Sequence, residues 1–499
     1  MKMVKSLILG SAAGLLAMGG AQAADLPVKA KAVEYVRICS LYGAGFFYIP
    51  GTDTCIKLGG YLRVETALWT NNMFGGAYSG VAGAQNRLSD HYHARSREDL
   101  NIDTRTATEY GVVRTFFDAT FSWTDAGGGP STAGTFGNAG IAGSDTIGVY
   151  YAFIQFAGFT MGKAVSQFDA PWQNYPGNNF DGLVGGGGTV TGVNQFSYTA
   201  DFGGGVSATI SAQDQVAYYT TNIYNTSNAT AATIVGGAYG TNSLGGAWAP
   251  DIVGKVVVDQ AWGLAQLSVA AHDNHASYYG ATSTGLETSG HPGDKWGWAV
   301  QGALSIKNIP TGPGDTLNVQ AVYTDGASRY NFQSLVPTAF AMYGGSGAAY
   351  QSLAIAGVSD TVFANGTSQQ SVTTWGFRGA YTHNWNPYWN TAVYGAYAQL
   401  KYGSGGAALV CTAMFATGFL TAGSTCNPDF NIAQIGFVTR WTPVKNLTFS
   451  ADVTYTMLDQ KCTGAIAAPA VAGGAKPAAL YELKDQDTVS ALIRAQRNF

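Results

Sequence analysis

Hydrophobic and polar side chains alternate with period two along most of this chain. In residues 447–457, Leu447, Phe449, Ala451, Val453, Tyr455 and Met457 share one face, and Thr448, Ser450, Asp452, Thr454 and Thr456 the other. Successive side chains of a strand point to opposite sides, so this is a strand with one apolar and one wet face. Residues 113–123 and 317–323 repeat the pattern, and the chain ends on it. Val489, Ala491, Ile493, Ala495 and Phe499 oppose Ser490, Arg494, Gln496 and Asn498. Arg497 interrupts that last run and is placed at a water interface. Such runs predict sixteen strands, at 57–69, 95–108, 112–124, 146–156, 159–166, 193–201, 206–213, 251–260, 263–272, 296–306, 315–325, 372–384, 389–401, 430–441, 447–458 and 487–499. Most approach the roughly 9–11 residues that a tilted strand needs to cross a bilayer.

The connections alternate in length. Ala157-Gly158 and Ala261-Trp262 are two-residue turns, and 442–446 is short. A second set, 70–94, 125–145, 167–192, 214–250, 273–295, 326–371, 402–429 and 459–486, is long and rich in Gly, Ser, Thr and Asn. Short turns at one end and long loops at the other mark a transmembrane barrel, whereas a water-soluble sandwich has no reason to keep that alternation. Aromatic residues gather at the short turns: Phe156, Phe159, Phe202, Trp262, Trp385, Tyr388, Trp389, Trp441 and the terminal Phe499. At one height they would form an interfacial girdle. Sixteen half-apolar strands also need cover. With lipid on the apolar face, water on the polar face and a closed sheet, no face and no edge is left bare.

Charge and composition agree with this reading. Charged residues are 11% of the 499, against roughly 25% in a soluble domain, while Gly reaches 67 and Tyr 28. A net charge of −4 gives no basic footprint for nucleic acid. Lys2 and Lys5, the apolar stretch 7–18 and Ala21-Gln22-Ala23 read as a signal peptide over 1–23, with Ala24 first in the mature chain. Its removal takes the charge from −4 to −6. The expected organisation is therefore a signal peptide (1–23), an N-terminal segment (24–56) and one barrel (57–499). Export permits disulfides. Cys39 can bridge Cys55, and Cys411 can bridge Cys426 across the uncharged stretch 402–428, which reads as an external loop rather than a spanning helix because glycine interrupts it. Cys462 is then left over, and spacing alone does not settle the pairing.

The region after the signal is distinctive. Glu34-Tyr35-Val36-Arg37 precedes Cys39, followed by Tyr42-Gly43-Ala44-Gly45-Phe46-Phe47-Tyr48-Ile49-Pro50-Gly51-Thr52-Asp53-Thr54-Cys55, and Tyr61-Leu62-Arg63 opens the first strand. This closely resembles the alphaproteobacterial general-diffusion porins of rhizobia, Brucella and their relatives. Residues 106–110, Ala152-Phe153-Ile154-Gln155 and Phe499 are similar too, so the resemblance spans essentially the whole chain. It implies a homotrimer of sixteen-stranded antiparallel barrels in the outer membrane of a Gram-negative bacterium. The implied partners are lipid and lipopolysaccharide outside the barrel, and ions and small hydrophilic solutes within. It also implies that the third long loop, about 167–192, folds inward to narrow the pore. Long outer loops and the last three cysteines depart from the family pattern.

Lumen charge sets selectivity in such a channel. The alternation turns Arg63, Glu65, Asp99, Asp103, Arg105, Arg114, Asp118, Arg378, Arg440, Asp452 and Arg494 inward. Counted from the short turns, Arg63, Arg105, Arg378 and Arg494 fall near mid-height and Arg440 near the short-turn mouth. Arg63, Arg105, Arg114, Arg378 and Arg494 are expected to form a basic wall. Asp169 and Asp181 of the third loop, with Gln167, Trp172, Asn174, Tyr175, Asn178 and Asn179, would face it across the eyelet. The competing reading has the arginines pair with Asp99, Asp103 and Asp118 to hold the wall. No catalytic motif occurs, and His91/His93 and His272/His275 lack a matched ligand set, so no enzyme activity, metal or cofactor is expected. Three functions remain: passive diffusion of small hydrophilic solutes, a channel tuned to sugars or anions, and a secreted soluble β protein such as a lectin or hydrolase.

Overall fold

The computed structural model describes residues 37–70, 86–87, 91–124, 146–215, 220–281, 285–471 and 476–499. The signal peptide, residues 24–36 and most of the first two long connections lie outside the described residues. Sixteen long strands follow the alternation: β1 Cys55–Leu68, β2 Tyr92–Thr108, β3 Gly111–Thr124, β4 Thr146–Phe156, β5 Phe159–Ala164, β6 Val193–Asp201, β7 Val206–Gln213 and β8 Asp251–Gln260. Then come β9 Gly263–Asn274, β10 Lys295–Lys307, β11 Thr316–Asp325, β12 Thr373–Asn386, β13 Trp389–Lys401, β14 Phe430–Val444, β15 Leu447–Gln460 and β16 Gln486–Asn498. Each pairs antiparallel with the next, and β16 returns to β1 through Tyr61↔Asn498 to Leu68↔Ala491. The sheet is a closed sixteen-stranded antiparallel barrel. Its strand ends differ from the periodicity by a few residues, because the last pairs depend on the neighbouring strand rather than on local pattern.

The outer surface of the wall is apolar. Leu58, Leu62, Val64, Phe117, Phe121, Ile210, Leu267, Phe377, Val393, Ile435 and Ile493 all point away from the barrel and are exposed. In water each would forfeit about 1.5–3 kcal/mol of burial, and lipid supplies that burial instead. Aromatic side chains ring the short-turn end: Phe159, Phe202, Trp262, Trp385, Tyr388, Trp389, Trp441 and Phe499. Trp389 stacks on Trp441 with centroids 5.8 Å apart. A second ring, with Trp69, Tyr92, Trp123, Trp296, Trp298 and Tyr323, lies toward the long-loop end.

The long loops are not slack. Asn222–Asn225, Thr241–Asn242, Ser359–Phe363 and Gln370–Ser371 form a four-stranded sheet. Ala339–Gly344, Gln351–Gly357, Ala465–Ala468 and Ala479–Leu483 form another. Between them lies one hydrophobic core, built from Tyr224, Tyr239, Phe332, Phe340, Leu353, Val362, Val410, Met414, Phe419, Ile466 and Tyr481 and reaching Leu183 and Val184 of the third loop. The uncharged 402–428 stretch contains a 14-residue helix, Gly403–Ala416, packed on this core. At about 1.5 Å per residue it is too short to cross a bilayer. Cys39–Cys55 and Cys411–Cys426 are bridged, and Cys462 is a buried free thiol. Burial pushes the Cys462 thiol up from its usual range, while a backbone bond at Asn427 works the other way.

Candidate pore constriction

The third long loop leaves β5, crosses the interior and returns to β6. It is held by the wall's polar face. The Gln266 and Gln301 amides donate to the Phe168 carbonyl at 3.4 and 2.8 Å, and Gln266 also reaches the Asp169 carbonyl at 2.8 Å. Trp172 Nε1 donates to Gln320 at 2.6 Å, and Asn318 donates to the Pro176 carbonyl at 2.7 Å. Arg378 donates to three loop carbonyls, those of Leu183, Gln173 and Gly187, at 3.1, 2.5 and 2.5 Å. Arg440 donates to the Gly177 carbonyl at 2.6 Å, Arg494 to that of Asn179 at 3.1 Å, and Asp452 accepts from the Asn179 amide at 2.6 Å. Apart from the Trp172–Gln320 bond between side chains, each contact satisfies a backbone group of the loop that would otherwise lack a protein partner. Gly185 permits a close approach to the wall's backbone: it has φ +88°, and a Cβ there would sit 2.2 Å from the Phe377 carbonyl oxygen.

The expected basic wall therefore divides. Arg378 and Arg494 are 1% and 9% exposed, and both lie beneath the loop instead of facing it across open water. Arg494 also donates to Glu65 at 2.6 Å, and Glu65 pairs with Arg95, which lies 3.9 Å from Asp181. The loop acids are likewise turned away from the lumen. Asp169 accepts from both the amide and the hydroxyl of Thr189 at 2.6 Å, tying the two limbs of the loop together. Asp181 accepts from the Tyr175 hydroxyl. The physical reason is shared: a loop docked in the interior buries its carbonyls, and nearby guanidinium groups are drawn to them. The loop's open face is uncharged, with Pro171, Trp172, Gln173, Tyr175 and Gly177.

The other wall keeps its charge accessible. Arg63 is half-buried, donates to Gln496 at 2.8 Å and lies over the Tyr61 ring. Arg105 sits at the short-turn mouth rather than at mid-height. Its row runs Cys55↔Arg105↔Arg114↔Gln155, just above the 157–158 turn. Both arginines pair with Asp103, at 2.9 and 3.0 Å, and keep 30% and 28% of their side chains exposed, against 11% for Asp103. Asp99 and Asp118 are buried in the wall at 4% and 7%. Arg95 and Arg97 belong to this constellation but were absent from the residues singled out. The signal was present, since both share the inward parity of Asp99 and Asp103. Arg97 donates to Ser122 at 2.8 Å and lies 5.5 Å over Tyr150.

The histidines serve local contacts. His272 bonds Asp251 at 2.9 Å and His275 bonds Asp294 at 2.8 Å. Among the described residues no group of three or more His, Cys, Asp or Glu is placed to hold a metal ion.

Comparison with known proteins joins this geometry to a family. The family model described as the Porin subfamily matches residues 25–492. Porin Omp2b of Brucella suis biovar 1 (strain 1330) is 32% identical over 336 residues, covering 64% of this chain and 85% of the relative. Porin Omp2b of Brucella neotomae is 33% identical over 335 residues, with the same coverage. Among solved structures, the outer membrane channel DcaP of Acinetobacter baumannii shares the fold, with a TM-score of 0.55 and 13% identity over 91% of this chain and 99% of that one. A closed barrel with an apolar outer face and an inward-folded third loop, matched almost end to end by this family, identifies the chain as a member of the Porin subfamily, the channels of the Gram-negative outer membrane.

Proposed function

We propose that the channel passes small hydrophilic solutes by diffusion and favours anions at its narrowest part. One observation carries this reading: on the wall facing the open lumen the charged strand groups that keep exposed surface are Lys57, Arg63, Arg105 and Arg114, while Asp99, Asp103 and Asp118 are largely buried and the loop acids face inward to their own hydrogen bonds. The net charge of −6 expected for the mature chain points the other way, but charge on the loops lies farther from a permeating ion than charge in the eyelet. Over such distances salt screens it within about 8–10 Å. Arg63, with Tyr61 beneath it, would act as the basic edge of the eyelet. Arg378, Arg440 and Arg494 would act as positioning residues that fix the loop. The test is the reversal potential of the full-length protein in a planar bilayer under a KCl gradient. Anion preference is expected, and Arg63→Ala should move the potential toward cations. Cation preference in the native protein would overturn the reading.

A homotrimer is part of the same proposal. Glu98 on β2 and Lys163 on β5 sit at mid-strand on the outer face, among neighbours that otherwise meet lipid. A charge there is costly in hydrocarbon, and a protein neighbour would relieve that cost. Outer-membrane lipid and lipopolysaccharide would then contact the remaining faces. Export through a cleaved signal at 1–23 fits this placement.

A further inference from the structure

Below the eyelet, the short-turn mouth contains a cavity of about 570 Å³ lined by Tyr42, Arg105, Arg114, Gln155, Phe156 and Thr160. That is within the range of small-molecule sites. Two features are unusual for the inside of a wet barrel. First, Arg105 and Arg114 converge on the single carboxylate of Asp103: Arg105 through Nε at 3.2 Å and Nη2 at 2.9 Å, Arg114 through Nε at 3.1 and 3.2 Å, with Arg114 Nη1 turned to Gln155 at 3.0 Å. Two cations share one anion, and each guanidinium has five N–H donors, so positive charge and donors remain for a visitor. Second, the next row up the wall is aromatic and faces inward. Phe116 and Phe153 are cross-strand partners, stacked at 5.4 Å and only half-buried, with Tyr151 6.2 Å from Phe116. Solvent-facing phenyl rings in a lumen otherwise lined by polar groups are unfavourable until something covers them.

The N-terminal segment completes the site. The Cys39–Cys55 bridge holds Phe46 and Tyr42 against Arg105, whose guanidinium carbon lies 4.9 and 5.7 Å from their ring centroids. Arg114 is held in the same way by Phe116 and Phe153, at 5.0 and 5.5 Å. Cation–π contacts of this kind hold a planar guanidinium by its face and leave its edge to hydrogen-bond acceptors. The Tyr42 hydroxyl has no partner among the described residues.

We propose that this vestibule is a binding site for small aromatic carboxylates. The carboxylate takes the fork of Arg105 and Arg114, where charge-assisted bidentate bonding is strongest, and the ring lies along Phe116 and Phe153. The site deepens the anion-favouring reading, on which it rests, by naming a solute class. Benzoate is the probe, added to the full-length protein in planar bilayers while block of the KCl current is recorded. Acetate supplies the charge without the ring, benzyl alcohol the ring without the charge, and glucose neither. Benzoate should block at concentrations at least tenfold below the other three. The double variants Arg105→Gln/Arg114→Gln and Phe116→Ser/Phe153→Ser should each raise its half-blocking concentration at least tenfold. Cys39→Ser/Cys55→Ser should weaken block in the same direction. Equal block by acetate or benzyl alcohol, stronger block by glucose, or variants indistinguishable from the native protein would each overturn the assignment. The KCl reversal potential, measured without benzoate, reports the anion preference separately, so failure of one reading is distinct from failure of the other.

Discussion

Arg378→Met is the most direct probe of how the pore is narrowed. The guanidinium makes three hydrogen bonds to loop carbonyls, those of Gln173, Leu183 and Gly187, and its side chain is 1% exposed. Bonds to a charged donor contribute about 1.5–3 kcal/mol each. The three share one donor group, and lumen water can rehydrate the carbonyls once the loop lifts, so simple addition overstates the loss. A loss of about 3 kcal/mol in loop docking is a conservative figure, equivalent to roughly a hundredfold shift toward the undocked loop. Methionine keeps the side chain's bulk and its apolar stem against the wall, so the barrel itself should persist. The measurement is single-channel conductance, with heat-modifiable gel migration as the check on folding. The variant should show larger mean conductance and added flicker with unchanged unheated migration. Conductance and noise matching the native channel would refute the idea that Arg378 holds the loop.

Three further outcomes follow from the same geometry. Gly185→Ala should also open the pore, because a Cβ at φ +88° meets the Phe377 carbonyl oxygen at 2.2 Å and backbone cannot yield as a side chain can; unchanged conductance would show that the loop shifts without cost. Asp315, in the turn before β11, accepts bonds from Thr311, Asn384, His383 and Tyr381 at 2.6 to 2.9 Å, and although burial pushes its carboxyl up, these bonds outweigh that and hold it below the usual range. A depressed folded pKa contributes stability that is complete above the unfolded value near 4 and is lost as pH falls through the lower folded value, so Asp315→Asn should flatten the acid limb of a melting-temperature profile, and parallel profiles would count against it. Cys411→Ser/Cys426→Ser should cost about 3 kcal/mol in the chain-entropy account of a loop this long, read as faster proteolysis of the outer loops with the barrel intact; equal cleavage rates would show that the core around Met414 suffices.

The alternation of apolar and polar residues in the sequence alone determined the wall. Alternation is a property of each strand's own residues, because lipid on one side and water on the other act on every strand separately. That is why 447–457 and 487–499 could be placed as strands from their own residues, and why alternation assigns Arg63, Asp103 and Arg494 to the polar face. It also set the closure, since an open edge has no partner in lipid. The course of the third loop and the order in the outer loops depended on tertiary structure. Nothing near Asp169 in sequence states that Thr189 will claim its carboxylate, and nothing near Arg378 states that its nearest acceptors will be carbonyls about two hundred residues away. The outer loops read as glycine-rich connections because their apolar residues are scattered, and they become a core only when five separate connections are brought together over one side of the barrel. A charge's direction is thus local, but whether it meets water or a buried carbonyl is decided by which distant backbone folds against it.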